Sequence, residues 1–79
     1  MYKATILLEN LEKAREFVQI CSAQEFNIEL SAGEKVVHAK SIIGVLSMNL
    51  AEKMELSVAK GDAQAIERFA QKLSPFLAD

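Results

Sequence analysis

The sequence predicts an α+β domain in which one face of a four-stranded antiparallel sheet is covered by three helices. Four short segments alternate apolar and polar residues, and three others are apolar at helical spacing or on nearly all sides. A period of two is typical of half-buried strands, and three- and four-residue spacing is typical of helices. The resulting order is β-α-β-β-α-β-α, for which a single sheet with all helices on one face is the economical packing.

The composition limits the classes of function. The 79 residues form one domain, 1–79, and the single Cys and single His permit neither an intramolecular disulfide nor a four-ligand zinc site. We therefore expect no metal and no cofactor. A net charge of −2 without a basic face argues against nucleic-acid binding. No stretch is long enough to span a bilayer, no signal peptide precedes Glu9, and the free thiol suits a reducing compartment, so we expect a cytoplasmic protein.

The first third of the chain predicts a strand followed by an amphipathic helix. Residues alternate from Tyr2 to Leu8, which indicates the strand. Asn10 then occupies a position suited to a helix N-cap, because its side-chain oxygen can accept a free amide of the first turn. Apolar residues recur at three- and four-residue spacing from Leu11 to Gln24, which indicates a helix over that range.

The middle of the chain predicts a hairpin and then a short helix. Strands over 26–30 and 35–39 are joined by the turn 31–34, in which Gly33 can adopt a positive φ. Ser41 is the next N-cap candidate, and the helix after it is apolar on nearly every side. Because so short a helix cannot bury all its side chains, we expect an exposed patch and hence a partner surface. Its members are Ile42, Ile43, Val45, Leu46 and Met48.

The last third predicts one more strand and one more helix. Apolar and polar residues alternate from Met54 to Val58. Gly61 then turns the chain, and Asp62 is a plausible cap for an amphipathic helix that extends to Leu73. Pro75 ends that helix or lies in a terminal turn.

The segment from Ala39 to Ser47, with its Lys-Ser-Ile-Ile-Gly core, is similar to the regulatory-serine segment of HPr, the small phosphocarrier of the bacterial sugar phosphotransferase system. The preceding hairpin and the later Gly61 turn and helix lie at nearly the spacing of that family. The resemblance covers about residues 1–75. It implies an open-faced β-sandwich in which the fourth strand lies between the first and the second.

The chain departs from the family pattern at the start of the first helix. The family has a Gly-x-His-x-Arg-Pro-like stretch there, in which the histidine carries phosphate. Alignment through the first helix places Asn10 at the histidine position, Glu12 at the arginine position, Lys13 at the proline position and Leu8 at the glycine position. An amide nitrogen is not basic and cannot accept a phosphoryl group at neutral pH, and a glutamate would repel a nearby phosphate.

The resemblance also implies roles for the second helix. Ser41 corresponds to the serine that an ATP-dependent HPr kinase phosphorylates in some bacteria. A serine at this position can also serve only as a helix N-cap, without being modified. The family uses the adjoining helix to bind transport enzymes, the kinase and a transcriptional regulator. The leading hypothesis is therefore a regulatory or adaptor protein of the phosphotransferase and carbon-regulation network that is not an enzyme. Under this hypothesis, phosphorylation of Ser41 would control the protein.

Two alternatives remain open. The first is a phosphocarrier component that uses a non-standard site, for which His38, the only histidine, would be the candidate. The second is a ferredoxin-like ligand-binding or structural module, since the β-α-β-β-α-β order fits that fold too. Cys21 lies on the apolar face of the first helix and is expected to be a buried, unreactive thiol.

Overall fold

The computed structural model of the protein describes residues 1–78, which form a four-stranded sheet and three α-helices. Their bounds are β1 (Tyr2–Ile6), α1 (Leu11–Ser22), β2 (Glu29–Ala32), β3 (Lys35–His38), α2 (Ile42–Leu46), β4 (Met54–Val58) and α3 (Ala63–Lys72), followed by a 3₁₀ turn (Ser74–Phe76). The predicted order of elements is confirmed, and Pro75 lies in the terminal turn.

The sheet has the order β1-β4-β2-β3, and every neighbouring pair is antiparallel. The fourth strand therefore lies between the first and the second, as the resemblance implied. Tyr2 is opposite Val58 and Leu30 is opposite Leu56, which fixes the register of β1, β4 and β2. This topology favours the HPr fold over the ferredoxin-like alternative.

The two faces of the sheet differ sharply in burial. Alternate residues of the strands, such as Ile6, Leu30 and Leu56, are fully buried beneath the helices. The residues between them, such as Lys3 and Glu55, are exposed. This alternation is what period-two patterning produces when only one face is covered. The sheet is therefore open on one side, and the core lies between its other side and the helices.

The strand bounds differ from the predictions mainly around β2. That strand begins at Glu29, not at Phe26, although Phe26 and Ile28 are both buried. The Phe26 ring packs edge-on against the Phe69 ring at 5.4 Å between centroids, outside the hydrogen-bonded ladder. Burial in the core and strand pairing are separate requirements, and alternation in the sequence reports only the first.

The β2–β3 turn consists of Gly33 and Glu34, shorter than the predicted turn 31–34. Gly33 has φ 61°, and no non-glycine residue of this hairpin has a positive φ. A positive φ at the first central residue is typical of the II′ hairpin turn, which favours glycine there. The tight turn forces β2 and β3 to be antiparallel neighbours and leaves β3 at the edge of the sheet.

Candidate functional site

The start of α1 is a fully formed N-cap. The Lys13 backbone N–H donates to Asn10 Oδ1 at 2.9 Å, and Asn10 itself has extended backbone angles. This confirms Asn10 as the predicted cap. Glu12, in the first turn, is exposed and lies where its negative charge interacts favourably with the positive end of the helix dipole. The side-chain oxygen of Asn10 thus already accepts a hydrogen bond from the helix.

Glu9, just before the cap, has a strained backbone that the sequence did not predict. Its φ is 73°, the only positive φ of a non-glycine residue among residues 1–78. Three contacts hold it there: its N–H donates to the Leu50 carbonyl at 2.8 Å, the Asn10 N–H donates to the Leu8 carbonyl at 2.8 Å, and its carboxylate pairs with the Lys13 ammonium at 2.7 Å. The ion pair thus adds a side-chain contact between the residue before the cap and the first turn of α1.

The start of α2 has the same cap geometry. The Gly44 N–H donates to Ser41 Oγ at 3.0 Å, which confirms Ser41 as a cap, and the Ser41 side chain is exposed. The Ser41 N–H in turn donates to the His38 carbonyl at 3.0 Å, so the residue is tied to the end of β3. An exposed hydroxyl in this position is accessible to a modifying enzyme.

Gly44 explains why α2 can lie so close to β3. A Cβ built on Gly44 would lie 3.2 Å from the Val37 Cβ and 3.3 Å from Ser41 Oγ. Either neighbour would have to shift to admit a side chain, so the glycine sets the approach of helix and strand. Lys35 Nζ donates to the Ser47 carbonyl at 2.8 Å and satisfies the other end of α2.

Only part of the predicted apolar patch is exposed. Ile43 is 82% exposed and Leu46 is 41% exposed, while Ile42 is half-buried. Val45 and Met48 are buried in the core beneath α2, so their assignment to a partner surface is wrong. Residues three and four apart share a helix face, and these two lie on the inward face together with the core.

Leu11 is a member of the apolar surface that sequence reasoning missed. It shares one stripe of α1 with Val18 and Ser22, and Ser22 Oγ donates to the Lys40 carbonyl just before α2. The stripe therefore faces α2, and Leu11 is 47% exposed at its start. We call the three exposed residues Leu11, Ile43 and Leu46 the α1–α2 patch.

Two further candidates have the positions that the sequence predicted. His38 is exposed on β3, directly opposite Glu29 of β2 on the open face of the sheet. Cys21 is buried in α1, and burial raises the pKa of its thiol to about 12, an effect that the nearby Lys40 ammonium only partly offsets. A thiol with so high a pKa is a poor nucleophile at neutral pH.

Among residues 1–78, no cluster of three or more His, Cys, Asp or Glu side chains is arranged to hold a metal ion. No helix in that part of the chain is long and apolar enough to cross a membrane.

Comparison with known proteins agrees with the fold. The sequence pattern of the family described as "PTS HPr component phosphorylation site" matches residues 10–78. The chain belongs to the HPr family. This family comprises phosphocarriers of the bacterial phosphotransferase system, which are not classical enzymes, and its membership implies protein partners from that system.

Several solved HPr structures are similar to the chain. HPr-C-His from Thermoanaerobacter tengcongensis is 30% identical, with a TM-score of 0.73 over 94% of this chain and 92% of that one. The phosphocarrier protein HPr from Bacillus anthracis is 28% identical, with a TM-score of 0.66 over 89% and 90%. The histidine-containing phosphocarrier protein of Mycoplasma is 20% identical, with a TM-score of 0.72 over 99% and 100%, and shows the shared fold. No curated protein sequence shows significant similarity.

Proposed function

We propose that this HPr-family chain is a regulatory adaptor of the phosphotransferase and carbon-regulation network that carries no phosphate at the family's histidine position. It acts in the cytoplasm by binding proteins, and phosphorylation of Ser41 controls that binding. Its partners are an HPr kinase, transport enzymes or a transcriptional regulator.

The observation that carries this proposal is the chemistry at the start of α1. In our alignment the residue at the family's histidine position is Asn10, whose side chain accepts the Lys13 amide. An amide nitrogen cannot take up a phosphoryl group, and Glu12 at the arginine position adds a negative charge where phosphate would need a positive one. The ammonium group of Lys13, in the first turn of α1, is also already paired with Glu9.

The start of α2 supports the regulatory half of the proposal. A phosphate on Ser41 would add about −1.5 to −2 charges at the positive end of the helix dipole. That placement is electrostatically tolerable, so modification changes the surface without unfolding the domain. Ile43 and Leu46, two and five residues after Ser41, belong to the α1–α2 patch, where a new charge alters how a partner docks.

Phosphotransfer from enzyme I tests the absence of carrier activity. The protein is incubated with enzyme I and phosphoenolpyruvate, and acid-labile phosphate is measured as the mass that acid treatment removes from a sample first weighed at neutral pH, with an authentic HPr as the positive control. We expect phosphate on the control and none on this chain. The alternative of a phosphocarrier with a non-standard site rests on the exposed imidazole of His38. Phosphate on the wild type that disappears in His38→Gln would establish that alternative.

Phosphorylation by HPr kinase tests the regulatory half. After incubation with the kinase and ATP, we expect one phosphoryl group on the wild type and none on Ser41→Ala. Ser47→Ala is the matched control, because Ser47 is an exposed serine at the opposite end of the same helix. Phosphate absent from all three proteins, with an authentic substrate modified in parallel, would leave Ser41 as a cap only.

A further inference from the structure

A cleft of about 650 Å³ lies at the opposite end of α1 from Asn10. One wall is the segment 23–27 that follows α1, and the other is the turn 59–62 with the first two turns of α3. None of its lining residues belongs to the α1–α2 patch or to the start of α1. Its volume is within the range of small-molecule sites in proteins.

The floor of the cleft is apolar and fixed in position. The Phe26 ring is held edge-on against Phe69, and the remaining floor consists of small side chains such as Ala65. A Cβ on Gly61 would lie 3.0 Å from the Phe26 Cβ, so the glycine lets the turn lie directly against the phenylalanine. Phe26 is only 8% exposed, so its ring forms a small part of the floor and the small side chains around it form the rest.

The two walls carry opposite charges that do not meet. Glu25 lies on the first wall, and Lys60 and Arg68 lie on the second. Within residues 1–78, none of these three makes a side-chain hydrogen bond or an ion pair. The fourth charged residue, Asp62, lies on the second wall with the two cations, and the hydrogen bond that its Oδ2 accepts from the Ala65 amide at 2.9 Å does not remove the charge of its carboxylate. The cleft thus has one carboxylate without a hydrogen-bond partner on its first wall and, on its second wall, two cations without such a partner beside Asp62.

We propose that this cleft binds a small zwitterion with an apolar body, of the class of apolar α-amino acids. The ligand carboxylate would lie between Lys60 and Arg68, its ammonium would face Glu25, and its apolar side chain would rest on Ala65 and the small exposed part of Phe26. A ligand of this kind bridges the two walls, pairing charges that the protein itself leaves apart. The inference concerns a separate surface and does not depend on phosphorylation of Ser41.

Titration of the ¹⁵N-labelled protein with three probes tests the proposal. L-leucine carries both charges, N-acetyl-L-leucine lacks the ammonium, and L-leucinamide lacks the carboxylate. We expect saturable amide shifts from leucine, confined to 23–27 and 59–68. Each blocked probe should bind roughly tenfold more weakly, which is the effect of losing one charge-assisted contact.

Two variants test whether Glu25 and Arg68 cause the difference in affinity between leucine and the blocked probes. In Glu25→Gln, leucine and N-acetylleucine should bind equally, and in Arg68→Gln, leucine should weaken by roughly tenfold. Arg15→Gln is the control, because Arg15 is an exposed arginine of α1 outside the cleft. The proposal is overturned if leucine causes no saturable shifts, if N-acetylleucine binds the wild type as well as leucine does, or if Arg15→Gln weakens binding as much as Arg68→Gln.

Discussion

The starts of α1 and α2 have the same cap but different surroundings. At each, a short polar side chain accepts the amide three residues later, at 2.9 Å for Asn10 and 3.0 Å for Ser41. Around Asn10 lie a strained backbone and an ion pair, while near Ser41 lies the highly exposed Ile43. A cap therefore gives no information about function by itself, and the neighbouring groups carry the difference.

The two helix starts also differ in how far their polar groups are engaged by neighbouring residues. The contacts at α1 are local, since Glu9, Asn10 and Lys13 engage one another. At α2, the Ser41 hydroxyl accepts one amide and remains exposed, and an apolar side chain projects nearby. A phosphate on Ser41 would thus lie near an exposed apolar side chain, whereas a phosphate at the start of α1 would lie near the carboxylates of Glu9 and Glu12.

The largest expected effect separates buried from exposed side chains of the α2 region. Met48→Ala should lower the free energy of unfolding by about 2–5 kcal/mol, because it leaves a cavity in the core. Ile43→Ala should change it by less than about 0.5 kcal/mol, because Ile43 is 82% exposed. Urea denaturation followed by circular dichroism measures both. A large loss for Ile43→Ala would remove that residue from the α1–α2 patch.

The buried face of α1 predicts a pH dependence. Because burial raises the pKa of Cys21 to about 12, the folded state retains its thiol proton at pH values where the unfolded thiol has ionised. The unfolded state then binds fewer protons, so the free energy of unfolding should fall as the pH rises from about 9 towards 12. Thermal unfolding of wild type and Cys21→Ala over this range isolates the effect. Identical slopes for the two proteins would contradict it.

Replacing the two caps tests their equivalence directly. Asn10→Ala and Ser41→Ala should each lower the free energy of unfolding by about 0.5–2 kcal/mol, because each leaves a helix amide without its acceptor. Asn10→Ser and Ser41→Asn retain an acceptor and should restore most of the loss. Chemical denaturation of the four variants provides the measurement. If Asn10→Ala has no effect, the amide of Asn10 contributes nothing as a cap and its presence needs another explanation.

The sequence was sufficient for the order of elements and for the caps at Asn10, Ser41 and Asp62, because these depend on local periodicity and side-chain chemistry. It was insufficient for Val45 and Met48. An apolar residue on a short helix has the same signature whether it faces the core or the solvent. Only the position of α2 over β3, set by the Gly44 approach to Val37, decides which side is buried.

Two features had no usable signal in the sequence. The positive φ of Glu9 arises because its amide bonds to Leu50, a contact between residues far apart in the chain. Leu11 was correctly placed on the apolar side of α1, but its 47% exposure depends on how the rest of the fold packs around the start of that helix. Both features follow from tertiary contacts, which local periodicity does not report.

The smallest expected effect concerns the ion pair that sets the start of α1 apart from that of α2. The two charged groups are 37% and 53% exposed, so Lys13→Met should lower the free energy of unfolding by only about 0.2–1 kcal/mol. The loss should become smaller at about 1 M salt, where the Debye length is about 3 Å and the 2.7 Å ion pair is partly screened. Lys3→Met, at an exposed position of β1, is the control. An effect of Lys13→Met that is unchanged at high salt would mean that the alkyl chain of Lys13, not its charge, supports the strained turn at Glu9.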